Sequence, residues 1–291
     1  MHTNERGYRD GPIGPKIAGR RRVLVLGDSF AYGMGVEVEQ AFPALLVKEL
    51  AARDVVAEVI NSGAPGYATH HEFHLLDCDG PELQPDDVVL AFYVGNDFRG
   101  NHTDRFGVLL VENGELVKRL PNDGAMQRVA SFLVARSRLA LLVARAFQPA
   151  ADGAANGDVP IGCENAEWDE GFSLAMARRT WDVDARAAWQ QSLLWITATR
   201  DRCRELGARF HLVLLPAPHQ YSKVVWQAAC SLCQLNDQDF DRARPNYELA
   251  AWAQANDIAV VDLLPDFVAA NDDANNRLYL DCHFNAAGPS W

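Results

Sequence analysis

Short apolar runs alternate with amphipathic segments along most of this chain. The apolar runs are rich in Val, Ile and Leu, and they cover residues 22–26, 55–60, 88–94, 210–215 and 258–263. A strand that is buried on both faces has no polar side, so continuous runs of this kind predict the strands of a parallel sheet. Helical spacing of apolar residues predicts helices over 43–52, 70–77, 185–206 and 247–255. Strands that alternate with helices are typical of an α/β fold with helices on both faces of the sheet.

One segment, residues 101–180, interrupts this alternation after the third strand. Within it, Asn113-Gly114 separates two short apolar runs, which predicts a β-hairpin. A predicted helix over 126–147 and a stretch rich in Gly, Ala and Asp over 148–170 follow. The apolar face of that helix fits two interpretations, packing against the core or a partial lid over a pocket.

The domain organisation follows from this pattern. We interpret residues 1–291 as a single domain, in which 101–180 is an insertion and residues 1–20, rich in Gly, Pro, Arg and Asp, form an N-terminal arm.

The charge balance excludes some classes of partner. Acidic residues number 39 and basic residues 27, a net charge of −12, which argues against a nucleic-acid or anionic-membrane surface. No apolar run approaches the roughly 20 residues of a membrane span. The N-terminus is polar and lacks the apolar core of a signal peptide, so a cytoplasmic location is the default expectation.

The metal-binding residue types give little indication of a metal site. Cys230 and Cys233 are the only close pair among six cysteines, and we favour buried helix positions over a zinc half-site or a redox pair. His70 and His74 share a helical face, which we interpret as a surface feature. We therefore expect neither a metal nor an organic cofactor.

Four polar motifs stand directly after predicted strands or near the end of the chain. They are Gly27-Asp28-Ser29-Phe30, Gly63-Ala64-Pro65-Gly66-Tyr67, Gly95-Asn96-Asp97 and Asp281-Cys282-His283-Phe284-Asn285. The loops after parallel strands meet at the carboxyl edge of the sheet, where ligands bind in open α/β folds. A serine, a histidine and several N–H donors at one edge are the groups that acyl transfer needs.

These four blocks, taken together and in order, resemble those of the SGNH (GDSL-like) serine hydrolases, over about residues 21–288. The resemblance implies a three-layer, flavodoxin-like α/β/α fold whose five parallel strands lie in the order 2-1-3-4-5. It also implies Ser29 as the nucleophile, His283 as its base and Asp281 as the carboxylate that orients the base. Many family members place the aspartate three residues before the histidine, whereas the interval is two here, which an extended segment accommodates.

The resemblance further implies an oxyanion hole with three donors. They are the backbone N–H of Ser29, the backbone N–H of Gly66, with Gly63 as the fallback, and the side-chain amide of Asn96. The residues alone leave other interpretations open: Ser29 as a helix cap, and both glycines as turn residues. Asp28 and Asp97 suit the bonding of backbone N–H groups in their loops better than chemistry.

The function that follows is hydrolysis of small-molecule carboxylic esters through an acyl-serine intermediate. One alternative is an O-acyltransferase that uses the same residues, and the other is a catalytically inactive binding protein that keeps the pocket. The second alternative does not account for the presence of Ser29, Asn96 and His283 together.

Overall fold

The computed structural model of the chain describes residues 3–102 and 173–271, together with the backbone of four short strands outside these ranges. The chain divides into two compact units, Met1–Thr103 with Gly162–Trp291, and Asp104–Ile161. The interpretation of the whole chain as one domain with an insertion at 101–180 stays a prediction.

The first unit is built on a five-stranded, all-parallel sheet. Its strands are β1 (Arg21–Gly27), β2 (Ala57–Asn61), β3 (Asp87–Tyr93), β6 (Arg209–Leu215) and β7 (Ala259–Asp262). They lie in the order β2-β1-β3-β6-β7, which is the predicted order 2-1-3-4-5. The predicted fold class is therefore confirmed.

Helices connect the strands and cover both faces of the sheet. They are α1 (Ser29–Tyr32), α2 (Phe42–Ala52), α3 (Thr69–Leu83), α4 (Asp97–His102), α5 (Val183–Glu205), α6 (Pro218–Tyr221), α7 (Lys223–Leu232), α8 (Arg244–Ala255) and α9 (Leu264–Ala270). Alternate residues of β1 enter different cores. Leu24 and Leu26 pack on the side of α3, α5 and α8, whereas Val23 and Val25 pack on the side of α2. This double burial explains why the strands read as continuous apolar runs.

Some predicted bounds were too short. Helix α3 was predicted over 70–77, yet it runs from Thr69 to Leu83 and contains Pro81. Gly80 and Pro81 are helix breakers by propensity, but Leu76 and Leu83 are buried in the core and Gly80 lies against Leu206. Tertiary packing therefore outweighs local propensity in this helix.

In the second unit, β4 (Val108–Glu112) and β5 (Glu115–Arg119) pair antiparallel, with Glu112 opposite Glu115. This confirms the hairpin predicted around 113–114. The predicted helix at 126–147 and the stretch at 148–170 lie outside the described residues, and so does the choice between core packing and a lid. Across the described ranges, we find no helix that has both the length and the apolar character to span a membrane.

The N-terminal arm is fixed to the rest of the first unit by charged side chains. The buried guanidinium of Arg9 donates hydrogen bonds to the carbonyls of Tyr32, Gly33 and Val36, which form the end of α1 and the turn after it. Asp10 accepts a bond from the backbone N–H of Asn61, at the end of β2, at 2.9 Å. The arm therefore supports the loops after β1 and β2.

Arg9→Ala should lower the free energy of unfolding by about 2–4 kcal/mol, because three carbonyls lose their buried charged donor. Urea unfolding followed by circular dichroism measures the change. Arg53→Ala is the matched control, because that side chain is 67% exposed in a surface pair with Glu49. It should leave the unfolding midpoint nearly unchanged. Equal effects of the two substitutions would contradict the supporting role of Arg9.

Candidate active site

Ser29 stands at the first turn after β1. The strand ends at Gly27, and Ser29 begins α1 with only 8% of its surface exposed. Asp28 caps this helix, since its Oδ1 accepts a hydrogen bond from the backbone N–H of Phe30 at 2.9 Å. A carboxylate at this position satisfies a helix N–H group that has no partner within the helix. The expectation that Asp28 bonds a backbone N–H is confirmed.

Asn96 reaches the same carboxylate from the loop after β3. Its Nδ2 donates a hydrogen bond to Asp28 Oδ2 at 3.0 Å. Its Oδ1 is buried and has no hydrogen-bond partner among the described residues. An amide nitrogen carries two N–H donors, so the bond to Asp28 leaves the second one for a ligand. The structure thus joins the Asn96 amide to the residue that precedes Ser29.

The loop after β2 packs directly on the helix that begins at Ser29. A Cβ atom added to Gly63 would lie 2.4 Å from the backbone nitrogen of Tyr32 and 2.7 Å from Ala31 Cβ. Only a glycine allows this approach, because real Cβ contacts are never so short. The N–H of Gly63 donates to Asn61 Oδ1 at 3.0 Å, so it is already used within the loop.

Gly66 differs from Gly63 in its backbone conformation and in the hydrogen bonding of its N–H. Its φ of +81° lies in the left-handed region, which favours glycine. Within the described residues its N–H donates no hydrogen bond. Of the two glycines that the sequence offers as the second oxyanion donor, Gly66 is therefore the one whose N–H is available.

The fourth motif is described only in part. The short strands β8 (Tyr279–Leu280) and β9 (His283–Phe284) pair antiparallel, and the backbone of β9 lies beside α1. This brings the main chain of His283 close to the helix that begins at Ser29. Asp281 and the side chain of His283 lie outside the described residues, so their roles stay predictions.

Three buried carboxyl groups lie at this edge of the sheet, and we call Asp28, Glu72 and Asp97 the carboxyl cluster. At most 1% of each residue is exposed. Asp97 Oδ2 accepts a bond from the N–H of Tyr93 at 2.6 Å, as expected for a loop-holding residue, whereas its Oδ1 has no hydrogen-bond partner in the described part of the chain. Neither oxygen of Glu72 has one among the described residues.

Burial and mutual repulsion both act on the ionisation of this cluster. Burial raises the pKa of Glu72 well above its ordinary value, and the charge of Asp28 raises it further. Burial also raises the pKa of Asp97, with added repulsion from Glu72 and Asp28, against a smaller lowering by the bond from Tyr93. Glu72 was not singled out from the sequence, because a glutamate in the first turn of a helix is usually exposed to solvent.

The histidines of α3 form part of an aromatic layer beside the second loop. The ring of His71 stacks on Tyr67 at a centroid distance of 5.1 Å, and His70 lies 6.0 Å from Trp195 of α5. His70 and His71 are half-buried, so the prediction of a surface feature holds only for exposed His74. Within the two long described segments, no three His, Cys, Asp or Glu side chains are grouped so that they could hold a metal ion.

The remaining histidines and the cysteine pair have structural positions. His211 contacts Asp87 at 2.9 Å. His219 is buried in α6, where burial, and to a lesser degree Arg242, lowers its pKa to about 4. Cys230 lies in α7, but Cys233 is exposed at the end of that helix, so the prediction that both are buried is wrong.

No protein-family model and no curated protein matches the chain. Its fold is similar to solved structures of SGNH and GDSL-like hydrolases. The acetyl xylan esterase AlAXEase is 14% identical, with 92% of this chain and 93% of that chain covered and a TM-score of 0.47. AlinE4, an SGNH-hydrolase family esterase, is 14% identical, with 91% and 87% covered and a TM-score of 0.41.

A GDSL-like lipase from Bacteroides thetaiotaomicron is 12% identical, with 95% of this chain and 85% of that chain covered and a TM-score of 0.43. At these identities and TM-scores, the likenesses carry no argument about the reaction, which has to be inferred from the residues of the chain.

Gly63→Ala should destabilise the fold by about 1–3 kcal/mol or more, because the added methyl group collides with the backbone of α1. It should also reduce any activity that depends on Ser29, since α1 has to shift. Gly11→Ala is the matched control, because a Cβ there meets no atom within 4 Å. Thermal unfolding of both variants measures the difference, and equal melting temperatures would contradict the close approach of the two loops.

Proposed function

We propose that this chain hydrolyses carboxylic esters through an acyl-enzyme formed on Ser29. The observation that carries the proposal is the Asp28 carboxylate, which caps the helix of Ser29 and bonds the amide of Asn96. A buried serine at a helix start and an amide donor are thereby held at one edge of the sheet, as acyl transfer requires.

The reaction follows from the roles of these groups. His283 accepts the proton of Ser29 as Oγ attacks the ester carbonyl carbon, and Asp281 orients the imidazole. The tetrahedral intermediate then collapses, and the alcohol leaves with the proton that His283 returns. Water, deprotonated by His283, attacks the acyl carbonyl carbon. The bond from that carbon to Ser29 Oγ then breaks, His283 returns the proton to Oγ, and the carboxylic acid leaves.

The oxyanion that forms in both steps needs fixed donors. We assign the backbone N–H of Ser29, the backbone N–H of Gly66 and the second N–H of the Asn96 amide. Gly66 is preferred to Gly63 because the Gly63 N–H already donates to Asn61. Such donors act strongly because they are in place before charge develops on the substrate oxygen.

Ser29→Ala should reduce the hydrolysis of nitrophenyl acetate to near background, and it should abolish labelling by a fluorophosphonate probe. The reason is that both reactions need the Ser29 hydroxyl as nucleophile. Ser231→Ala is the control, because that hydroxyl is exposed on α7 and bonds the carbonyl of Gln227, its single partner among the described residues. It should be labelled like the unsubstituted protein. Normal turnover by Ser29→Ala would end the serine-hydrolase proposal.

The same assay, run with added alcohols and sugars, separates hydrolysis from transfer. Free acid should be the main product. If most of the acyl group appeared on an acceptor supplied at low concentration in water, the protein would be a transferase, and the role of Ser29 would stand.

Asn96→Ala should lower kcat by about 10²–10³-fold with little change in KM, because the lost donor acts on the transition state. Steady-state kinetics on a short nitrophenyl ester measures this. Asn101→Ala, in the helix α4 that follows Asn96, is the contrast. Asn101 bonds Thr69 and Ser192, away from Asp28, so its loss should lower the melting temperature more than kcat. An unchanged kcat in Asn96→Ala would remove Asn96 from the oxyanion hole.

A further inference from the structure

The carboxyl cluster has more acidic groups than the proposed reaction uses. Asp28 follows β1, Glu72 lies in the first turn of α3, and Asp97 begins α4. Helix α3 packs on both β1 and α4, which brings the three groups close enough for their charges to interact, and Asp28 is next to Ser29 in the chain. Each is buried, and none of the described cations forms an ion pair with Glu72 or Asp97.

The partners of these three groups differ. Asp28 accepts two N–H bonds, from Phe30 and from Asn96, which suits an ionised carboxylate. Glu72 has no N–H or O–H donor near either oxygen among the described residues. An ionised carboxylate in such a place has lost its hydration without gaining a hydrogen bond or an ion pair that would compensate. Protonation makes Glu72 neutral and turns one of its oxygens into a hydrogen-bond donor. Only this neutral form avoids repulsion from the neighbouring carboxylates.

We propose that Glu72 is a positioning residue for Ser29 and Asn96: buried as a neutral carboxylic acid, it lets Asp28 carry the negative charge that holds the Asn96 amide. Asp97 acts as the second neutral acid of the cluster. This inference rests on the proposed function, because the amide it positions is the proposed oxyanion donor.

The surroundings of Glu72 contain few other titratable groups. His70 and His71 flank it in α3, Asp28 faces it from the end of β1, and Asp97 from α4. Helix α5 contacts α3 through Trp195, which does not titrate, and through Arg202, which pairs with Asp77 of α3 at 2.9 Å. The cations of α4 are Arg99 and His102, and neither pairs with Glu72.

Loss of the Glu72 proton as the pH rises should affect both catalysis and stability. When Glu72 loses its proton, a second negative charge appears beside Asp28, and the repulsion disturbs the hydrogen bond that Asn96 donates to Asp28. The kcat for ester hydrolysis should then fall while KM stays nearly constant. Stability should also fall as the pH rises, because a raised folded-state pKa means that the unfolded chain releases this proton first.

The test compares the unsubstituted protein with Glu72→Gln and with Glu82→Gln. Glu82 is an exposed glutamate in the same helix, with 73% of its side chain accessible. Infrared spectra at neutral pH should contain the carbonyl band of a protonated carboxylic acid. The band should weaken in Glu72→Gln and stay unchanged in Glu82→Gln. In Glu72→Gln, kcat should persist to higher pH, and the pH dependence of unfolding should become shallower by about one proton.

A further readout does not depend on ester hydrolysis. The side-chain amide signals of Asn96 can be identified by their absence in Asn96→Ala. In an NMR titration of the unsubstituted protein, they should shift with the same midpoint as the infrared band. A protein that hydrolyses no ester but shows this shared midpoint would contradict the proposed function and leave the role of Glu72 intact.

The opposite outcomes overturn the inference. They are an acid band that is absent from the unsubstituted protein or unchanged in Glu72→Gln, and Asn96 signals that do not respond to the titration. If Glu72→Gln did not fold, the titration of the unsubstituted protein would still decide, because the band and the Asn96 signals are both measured there.

Discussion

The site depends on one carboxylate, that of Asp28. One of its oxygens caps the helix that begins at Ser29, and the other holds the amide of Asn96. Since both bonds end on the same rigid group, the nucleophile and the amide cannot move independently. The sheet makes this possible: β1 and β3 are neighbours, and Gly27 pairs in register with Ala91, so the two loops leave the sheet side by side.

Small residues let the loops approach as closely as these bonds require. Gly63 lies against Ala31 and the backbone of Tyr32, and Ala31 in turn contacts Gly27 closely. A larger side chain at Gly63 would push the second loop away from α1 and would move Gly66 with it. The packing of this layer and the hydrogen bonds of Asp28 are therefore two parts of one constraint, which fixes three loops relative to one another.

The sequence was most informative where a pattern is local. The strands read clearly because burial on both faces leaves continuous apolar runs, and the motifs after them indicated Ser29, Gly66 and Asn96. The support from Arg9 could not be predicted, because its carbonyl partners lie 23 to 27 residues further along the chain. Glu72 escaped notice for a related reason. Nothing in its neighbours along the chain indicates that α3 turns it inward, beneath the residue that precedes Ser29.

The orientation of the Asn96 amide follows from electrostatics as well as from packing. If the amide turned over, its Oδ1 would face the Asp28 carboxylate, and two negatively polarised oxygens would repel each other in a buried place. The orientation in the structure instead leaves Oδ1 without a partner among the residues that the structure describes, which costs about 1–3 kcal/mol. The bond to a charged acceptor offsets this cost, since such bonds are stronger than neutral ones. The second N–H of the Asn96 amide thus has a fixed direction before any substrate binds. This orientation requires Asp28 to be ionised. A neutral Glu72 near Asp28 allows Asp28 to stay ionised. The protonation of Glu72 and the orientation of the Asn96 amide therefore depend on each other.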